Sequence, residues 1–474
     1  MRGEPAVELA TLFHKIDLDP SDPCAHLDLG SALRQAGRKE EAMQLFQKAL
    51  ALRPGWPMAL YNLGIARLDC GDAPGALAAF QETVTIRPDW SLGYGGLGVA
   101  LLETWNLDAA KQCLNKSLAL DPDLHMARHY LGLAHAACHE IDAAIATYRE
   151  GIRRDPEVCY ECRALLGTWL LALGDYSAGW KEYEWRFGAW GRTPRLSGLS
   201  CPVWDGSPLD GKSIVLWDEQ GLGDALQFIR FASQVRERGG EVWVFCRPSL
   251  RALLATCPGV SSAVSRLEDL EPCEYQIPFA SLPGILGVTL ENLTAPVSYL
   301  APPVQRSVDP LGPRSGQEIR VGLVWGVEAG HPNWQGRSCP LPGFRALEGV
   351  PGVELYSLQF GALSAELRRP GAPQAADLSA VLGDFAQTAA MVAHLDLVVT
   401  VDTSMAHLAG ALGKPVWVLI PYDADWRWLR DREDSPWYPT MRLFRQEERG
   451  AWEPVLERMR TALQEIRQRD RTAF

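Results

Sequence analysis

In the first third of the chain, apolar residues fall at helical spacing, and the whole pattern returns every 34 residues. Leu29, Leu63, Leu97 and Leu131 each precede a glycine, at Gly30, Gly64, Gly98 and Gly132. Ala42, Ala76, Ala110 and Ala144 keep the same register, as do Phe46, Phe80, Leu114 and Tyr148. Pro20, Pro54, Pro88, Pro122 and Pro156 close each period. The pattern predicts stacked pairs of antiparallel helices. The small residues allow close approach, the large one fills the space between helices, and proline ends the second helix.

Four full repeats cover 23–156, after an N-terminal helix or cap over 1–22. A fifth stretch, 157–190, keeps the helical pattern but brings in Trp180, Tyr183, Trp185 and Trp190, and is expected to cap the array. The 34-residue period with Leu-Gly, Ala, an aromatic and Pro is the tetratricopeptide pattern. Residues 191–212, rich in Gly, Pro and Ser, read as a linker.

Beyond the linker the period shortens to that of buried strands. Ser213–Trp217, Glu241–Cys246, Ile319–Trp325, Glu354–Leu358, Leu395–Val401 and Val416–Ile420 are apolar runs separated by helical or loop segments. A break at 302–317 divides two α/β halves, 213–307 and 318–474. The predicted architecture is an α-helical solenoid followed by two Rossmann-like α/β domains with a cleft between them.

Composition narrows the class. With 474 residues, 47% apolar and 22% charged, the chain is a multidomain globular protein. No run of about 18 apolar residues occurs, so no membrane span is expected. The N-terminus lacks a charged-then-apolar leader pattern. Eleven scattered cysteines fit reduced thiols in a cytoplasmic protein. A net charge of −12 argues against a nucleic-acid partner.

Two stretches carry candidate chemistry. VDTSMAHLAGALGKP, residues 401–415, places Asp402, Thr403 and Ser404 where a strand meets a helix, with His407 one turn on. Ligands bind at the carboxyl ends of strands in open α/β sheets, and a helix N-terminus suits a phosphate. DEQGLGD, residues 218–224, sets Gly221 and Gly223 for a tight turn and close backbone approach, with Asp224 at the helix start. The spacing is not that of a dinucleotide fingerprint.

DEQGLGDALQFIRF resembles the first loop of the heptosyltransferase-like glycosyltransferases, and VDTSMAHLAGALGKPVWVL their second nucleotide motif. WDGSPLDGK, RSCPL, YSLQ and DWRWLRDREDSPWYPTMRLFRQ resemble bacterial tetratricopeptide-linked members, some of which glycosylate flagellin or other proteins. The resemblance implies a GT-B fold and metal-independent, inverting transfer from a nucleotide-sugar. That donor is a substrate, and no cofactor is implied. Asp224 takes the position of the general base. Asp402, Thr403 and Ser404 take that of the donor phosphates, with His407 in the family's histidine position.

Arg337 stands where relatives carry a phosphate-binding lysine, and Gln359 where they carry an acid for the ribose. Trp426 and Trp428, with Arg427 between them, are candidates to stack on the base or sugar, or to shield the cleft. The D-x-D at 423–425 has a metal-holding form in other glycosyltransferase folds, but its place in a loop of the second half argues against a metal. His125, His129, Cys138, His139, Cys159 and Cys162 lack the spacing of a zinc site. The repeats are expected to recruit a protein acceptor or partner. A lipid or glycan acceptor, or a non-enzymatic scaffold, are the alternatives. The asparagine ladder of eukaryotic O-GlcNAc transferase is absent, since Asp28, Asn62, Gly96 and Tyr130 hold that position.

Overall fold

The computed structural model describes residues 4–157, 159–293, 296–303, 311–314, 318–328 and 334–468. The break at 302–317 lies largely outside them. The chain forms two compact units, Met1–Leu166 and Gly167–Phe474.

The first unit is a helical solenoid. After the helix Glu4–Leu18 come the pairs Pro23–Gln35 with Lys39–Leu52, Pro57–Asp69 with Ala73–Ile86, Ser91–Glu103 with Leu107–Leu120, and His125–Ala137 with Ile141–Arg154. The register read from the sequence is the register of packing. A Cβ at Gly30 would lie 2.6 Å from the Phe46 ring, and one at Gly132 only 2.1 Å from the Tyr148 ring. Glycine is required at both because its helix presses against the large residue 16 positions on. Ala42, Ala76, Ala110 and Ala144 are wholly buried. The turn inside each pair passes through the left-handed region at Gly37, Gly71, Trp105 and His139, with φ of 80°, 79°, 59° and 58°.

The second unit holds two parallel sheets. The first contains β1 (Ser213–Trp217), β2 (Glu241–Phe245), β3 (Val260–Val264) and β4 (Tyr275–Pro278) in the order β3-β2-β1-β4. The second contains β5 (Ile319–Val324), β6 (Val353–Ser357), β7 (Ala376–Asp377), β8 (Leu397–Val401), β9 (Val416–Ile420) and β10 (Met441–Arg445) in the order β10-β9-β8-β5-β6-β7. Within each sheet the strand order reverses next to the first strand, at β1/β4 and at β5/β8. A crevice opens at such switch points.

Two sequence expectations change. The stretch 157–190 is not a cap separate from the α/β part. The boundary between the units falls inside the helix Tyr160–Ala172, and Trp180 of the following helix, Tyr176–Tyr183, is core of the second unit. Its indole Nε1 donates to Val288 O at 3.0 Å, and its ring meets Trp426 edge-on at 5.4 Å. Nor do residues 191–212 hang free as a linker. Trp204 is buried and its backbone N–H donates to Gln276 O at 2.9 Å, while Leu196 N–H donates to Gln276 Oε1 at 2.6 Å, which binds the segment to β4.

All eleven cysteines are free thiols. Among the described residues, no helix is long and apolar enough to cross a membrane.

Candidate functional site

The loop leaving β1 carries three acids, and each meets an arginine. Asp218 accepts from Arg247 Nε at 2.8 Å, and Glu219 from Arg186 Nη2 at 3.0 Å. Arg186 is itself fully buried against Glu184 and Ser281. Burial raises the Glu219 carboxyl above its ordinary value, against the pull of Arg186. Asp224 sits in the first turn of the helix Leu222–Phe228. Its Oδ2 accepts from Gly221 N–H at 2.8 Å, which caps the helix start, and its Oδ1 accepts from Arg427.

In the second sheet, Asp402 and Thr403 follow β8 at the switch point. Thr403 caps the helix Ser404–Ala411, accepting from Met405 N–H at 3.3 Å, with Thr400 Oγ1 at 3.1 Å. Ser404 is the first residue of that helix. Asp402 is buried with Arg337 Nη2 3.4 Å from its carboxylate, and the same guanidinium donates to the Asp402 carbonyl. Burial pushes the Asp402 carboxyl above its ordinary value while Arg337 opposes the shift.

The two half-sites meet. The helix Leu222–Phe228 packs on Ser404–Ala411, and a Cβ at Gly223 would lie 2.7 Å from the His407 ring. Gly223 is therefore fixed by close approach to a side chain of the other half-site. His407 Nδ1 is 2.8 Å from Tyr438 OH, and its ring stacks on Trp428 with centroids 5.4 Å apart. Burial, aided by the Arg427 charge, pushes His407 down to about 3. It is a neutral packing and hydrogen-bonding residue at ordinary pH.

Several side chains have other surroundings than the sequence suggested. Trp426 and Trp428 are 3% and 0% exposed. Trp426 packs among Trp180, Tyr183 and Trp437, so these indoles are core and offer no open face to a base or sugar. Gln359 spends its amide on backbone: Oε1 accepts from Trp325 and Gly326 N–H at 3.1 and 3.0 Å, and Nε2 donates to Gly326 O at 3.2 Å. It orders the exit of β5. The aspartates of the D-x-D diverge, Asp423 to Arg449 at 2.7 Å and Asp425 to Arg427 at 2.7 Å. Among the described residues no three His, Cys, Asp or Glu side chains are grouped to hold a metal.

In the sequence Arg427 stands out only as a neighbour of the two tryptophans. In the structure it joins the two half-sites, with Nε donating to Gln227 Oε1 at 2.9 Å, Nη1 to Asp425 Oδ1 and Nη2 to Asp224. Burial works against its charge, yet Asp224 and Asp425 hold it well above its ordinary value. Arg230, absent from the sequence reading, is buried over the rings of Tyr299 and Tyr438 at 4.5 and 4.6 Å. The available signal was the run Q-F-I-R shortly after Asp224, which puts Gln227 and Arg230 on one helix face with it.

Fold and site define a tetratricopeptide solenoid joined to an α/β unit of two Rossmann-like sheets. Residues 23–56 and 93–124 match tetratricopeptide repeat models, and residues 371–420 match glycosyltransferase family 9 (heptosyltransferase). The last segment contains β8, Asp402, Thr403, Ser404, His407 and β9.

The chain is similar to Protein FlbA of Caulobacter vibrioides (strain ATCC 19089 / CIP 103742 / CB 15), 28% identical over 333 residues. The match covers 63% of this chain and 54% of FlbA, so the chain spans about half the length of that curated relative. Among solved structures it is similar to TTC0263, a thermophilic tetratricopeptide protein of Thermus thermophilus, with 25% identity, a TM-score of 0.33, and coverage of 35% of this chain and 91% of that one. It is also similar to MamA from Desulfovibrio magneticus RS-1, with 25% identity, a TM-score of 0.31, and coverage of 33% and 88%.

Proposed function

We propose that this protein is an inverting, metal-independent glycosyltransferase that moves a sugar from a nucleotide-sugar to a hydroxyl of a protein acceptor recruited by the repeats. The observation that carries the reading is the meeting of Asp224, at the exit of one Rossmann-like sheet, with the Asp402–His407 segment at the switch point of the other. The family 9 match over 371–420 supports a sugar-transfer role for that second element.

In this reading the donor diphosphate lies at the N-terminus of the helix Ser404–Ala411, where the dipole and unpaired N–H groups favour negative charge. Arg337 adds a cation beside Asp402. The acceptor hydroxyl approaches from the Asp224 side. As its oxygen bonds to the anomeric carbon, the bond to phosphate breaks, the hydroxyl proton passes to Asp224, and the nucleoside diphosphate leaves. The ribose meets the loop that Gln359 orders. The solenoid offers far more surface than a sugar needs, which favours a protein partner.

Asp224→Asn keeps the shape and the Gly221 contact but cannot take the proton. Transfer is expected to fall by about two orders of magnitude or more with donor affinity nearly unchanged. Measured turnover close to that of the parent protein would remove Asp224 from the mechanism.

A further inference from the structure

The carboxylate of Asp224 is held from two sides. Gly221 N–H, from its own turn, takes Oδ2, and Arg427 takes Oδ1. Arg427 is itself pinned at three corners. Besides Asp224, it reaches Asp425 at 2.7 Å and Gln227 at 2.9 Å, and its guanidinium lies 4.4 Å from the Trp426 ring centroid. Gln227 stands three residues after Asp224 on the same helix, so one planar fork grips two successive turns of one helix face. Asp425 anchors that fork in the loop after β9, in the other sheet. A lysine could neutralise the charge but could not make all three contacts in one plane.

We propose that Arg427 is the positioning residue for Asp224. It fixes the orientation of the carboxylate and ties it to the sheet that carries Asp402. Each oxygen keeps a lone pair that neither contact uses, and one of these is left to meet the incoming hydroxyl. The inference rests on the reading of Asp224 as base and adds a requirement to it: the carboxylate works only while gripped from the opposite half-site.

The test is a double-mutant cycle. Full-length protein, Asp224→Asn, Arg427→Lys and the double variant are given a panel of UDP-, GDP- and ADP-linked hexoses and heptoses, with water as acceptor. Release of nucleoside diphosphate is followed. Arg427→Lys is expected to lower kcat about tenfold or more while the donor KM moves less than about threefold. In the Asp224→Asn background the same change is expected to cost less than about a further twofold, because both substitutions remove one device.

Full turnover in Arg427→Lys, losses that multiply across the cycle, or a donor KM that rises in step with the loss would each overturn the proposal. The last would make Arg427 a phosphate ligand instead. Unimpaired Asp224→Asn, or a parent protein that cleaves no donor in the panel, would sink the underlying reading by itself. If Arg427→Lys lacks a cooperative melt, Arg427→Gln is read by the same criteria, since it keeps hydrogen bonding without the charge.

Discussion

His407 carries the clearest pH consequence of any single residue. Its folded-state pKa, about 3, lies below the ordinary 6.5. The unfolded chain therefore takes up the proton first. The stability tied to this group is complete above about pH 6.5 and is lost progressively as pH falls toward 3, amounting to about 2 kcal/mol by pH 5. Chemical denaturation at pH 7 and pH 5 checks this, and His407→Asn should remove that part of the slope. A pH dependence unchanged by the substitution would contradict the burial argument. The same residue shows how far sequence reached. His407 was legible as helix packing, because it follows the cap by one turn. Its partners Trp428 and Tyr438 were not legible, because a stacked ring and a phenol brought in from a distant loop leave no local pattern.

At the scale of elements, the four-repeat register was readable because each small residue and its large partner recur at fixed spacing. The fifth pair escaped that reading through a one-residue slip. Gly167, Gly179 and Tyr183 keep the internal spacing of Gly30, Ala42 and Phe46 but stand one position late in the 34-residue frame. The geometry is retained, since a Cβ at Gly167 would lie 2.4 Å from Tyr183 N. Strands β3, β4, β7 and β10 were missed for another reason: they are short, and their pairing decides their conformation more than their composition does.

Two repeat substitutions follow from this packing. Gly132→Ala drives a methyl into the Tyr148 ring and should destabilise the solenoid by about 1–3 kcal/mol in a urea melt. Trp105 holds a left-handed turn that Gly37 and Gly71 fill in earlier repeats, and it is 60% exposed. Trp105→Gly should therefore stabilise the solenoid by up to about 1 kcal/mol. A loss of stability there would mean that the indole is held by contacts outweighing the backbone strain.

For the whole molecule, the unit boundary predicts where the chain can be cut. A chain beginning at Gly191 lacks Tyr176, Trp180 and Arg186. That strips the aromatic cluster around Trp437, whose indole donates to Tyr176 OH at 3.0 Å, and leaves Glu219 buried without its cation. No cooperative melt is expected from it. A chain beginning at Cys159 keeps all three and should melt cooperatively by circular dichroism. If the shorter chain folds equally well, the aromatic cluster is dispensable. The two-sheet plan was readable from the apolar runs. The ownership of 167–212 was not, because Gly, Pro and Ser in that stretch suggest a spacer whether or not Trp204 finds a pocket.

The grip on Asp224 also has a time course. Its helix leaves the ribosome 203 residues ahead of Arg427, an interval of roughly 10 to 40 s at ordinary elongation rates. Until then the acid-bearing loop after β1 has Arg186 and Arg247 to hold Glu219 and Asp218, while the Asp224 carboxylate has only the N–H of its own turn. A nascent chain can thus complete its solenoid and its first sheet, and even engage a partner, while still unable to transfer a sugar. Proteolysis of chains stalled before residue 427 should find the turn at Gly221–Asp224 open and that of the released protein closed. Competence arrives only with the final stretch of the polypeptide, which keeps an unfinished enzyme from consuming its donor.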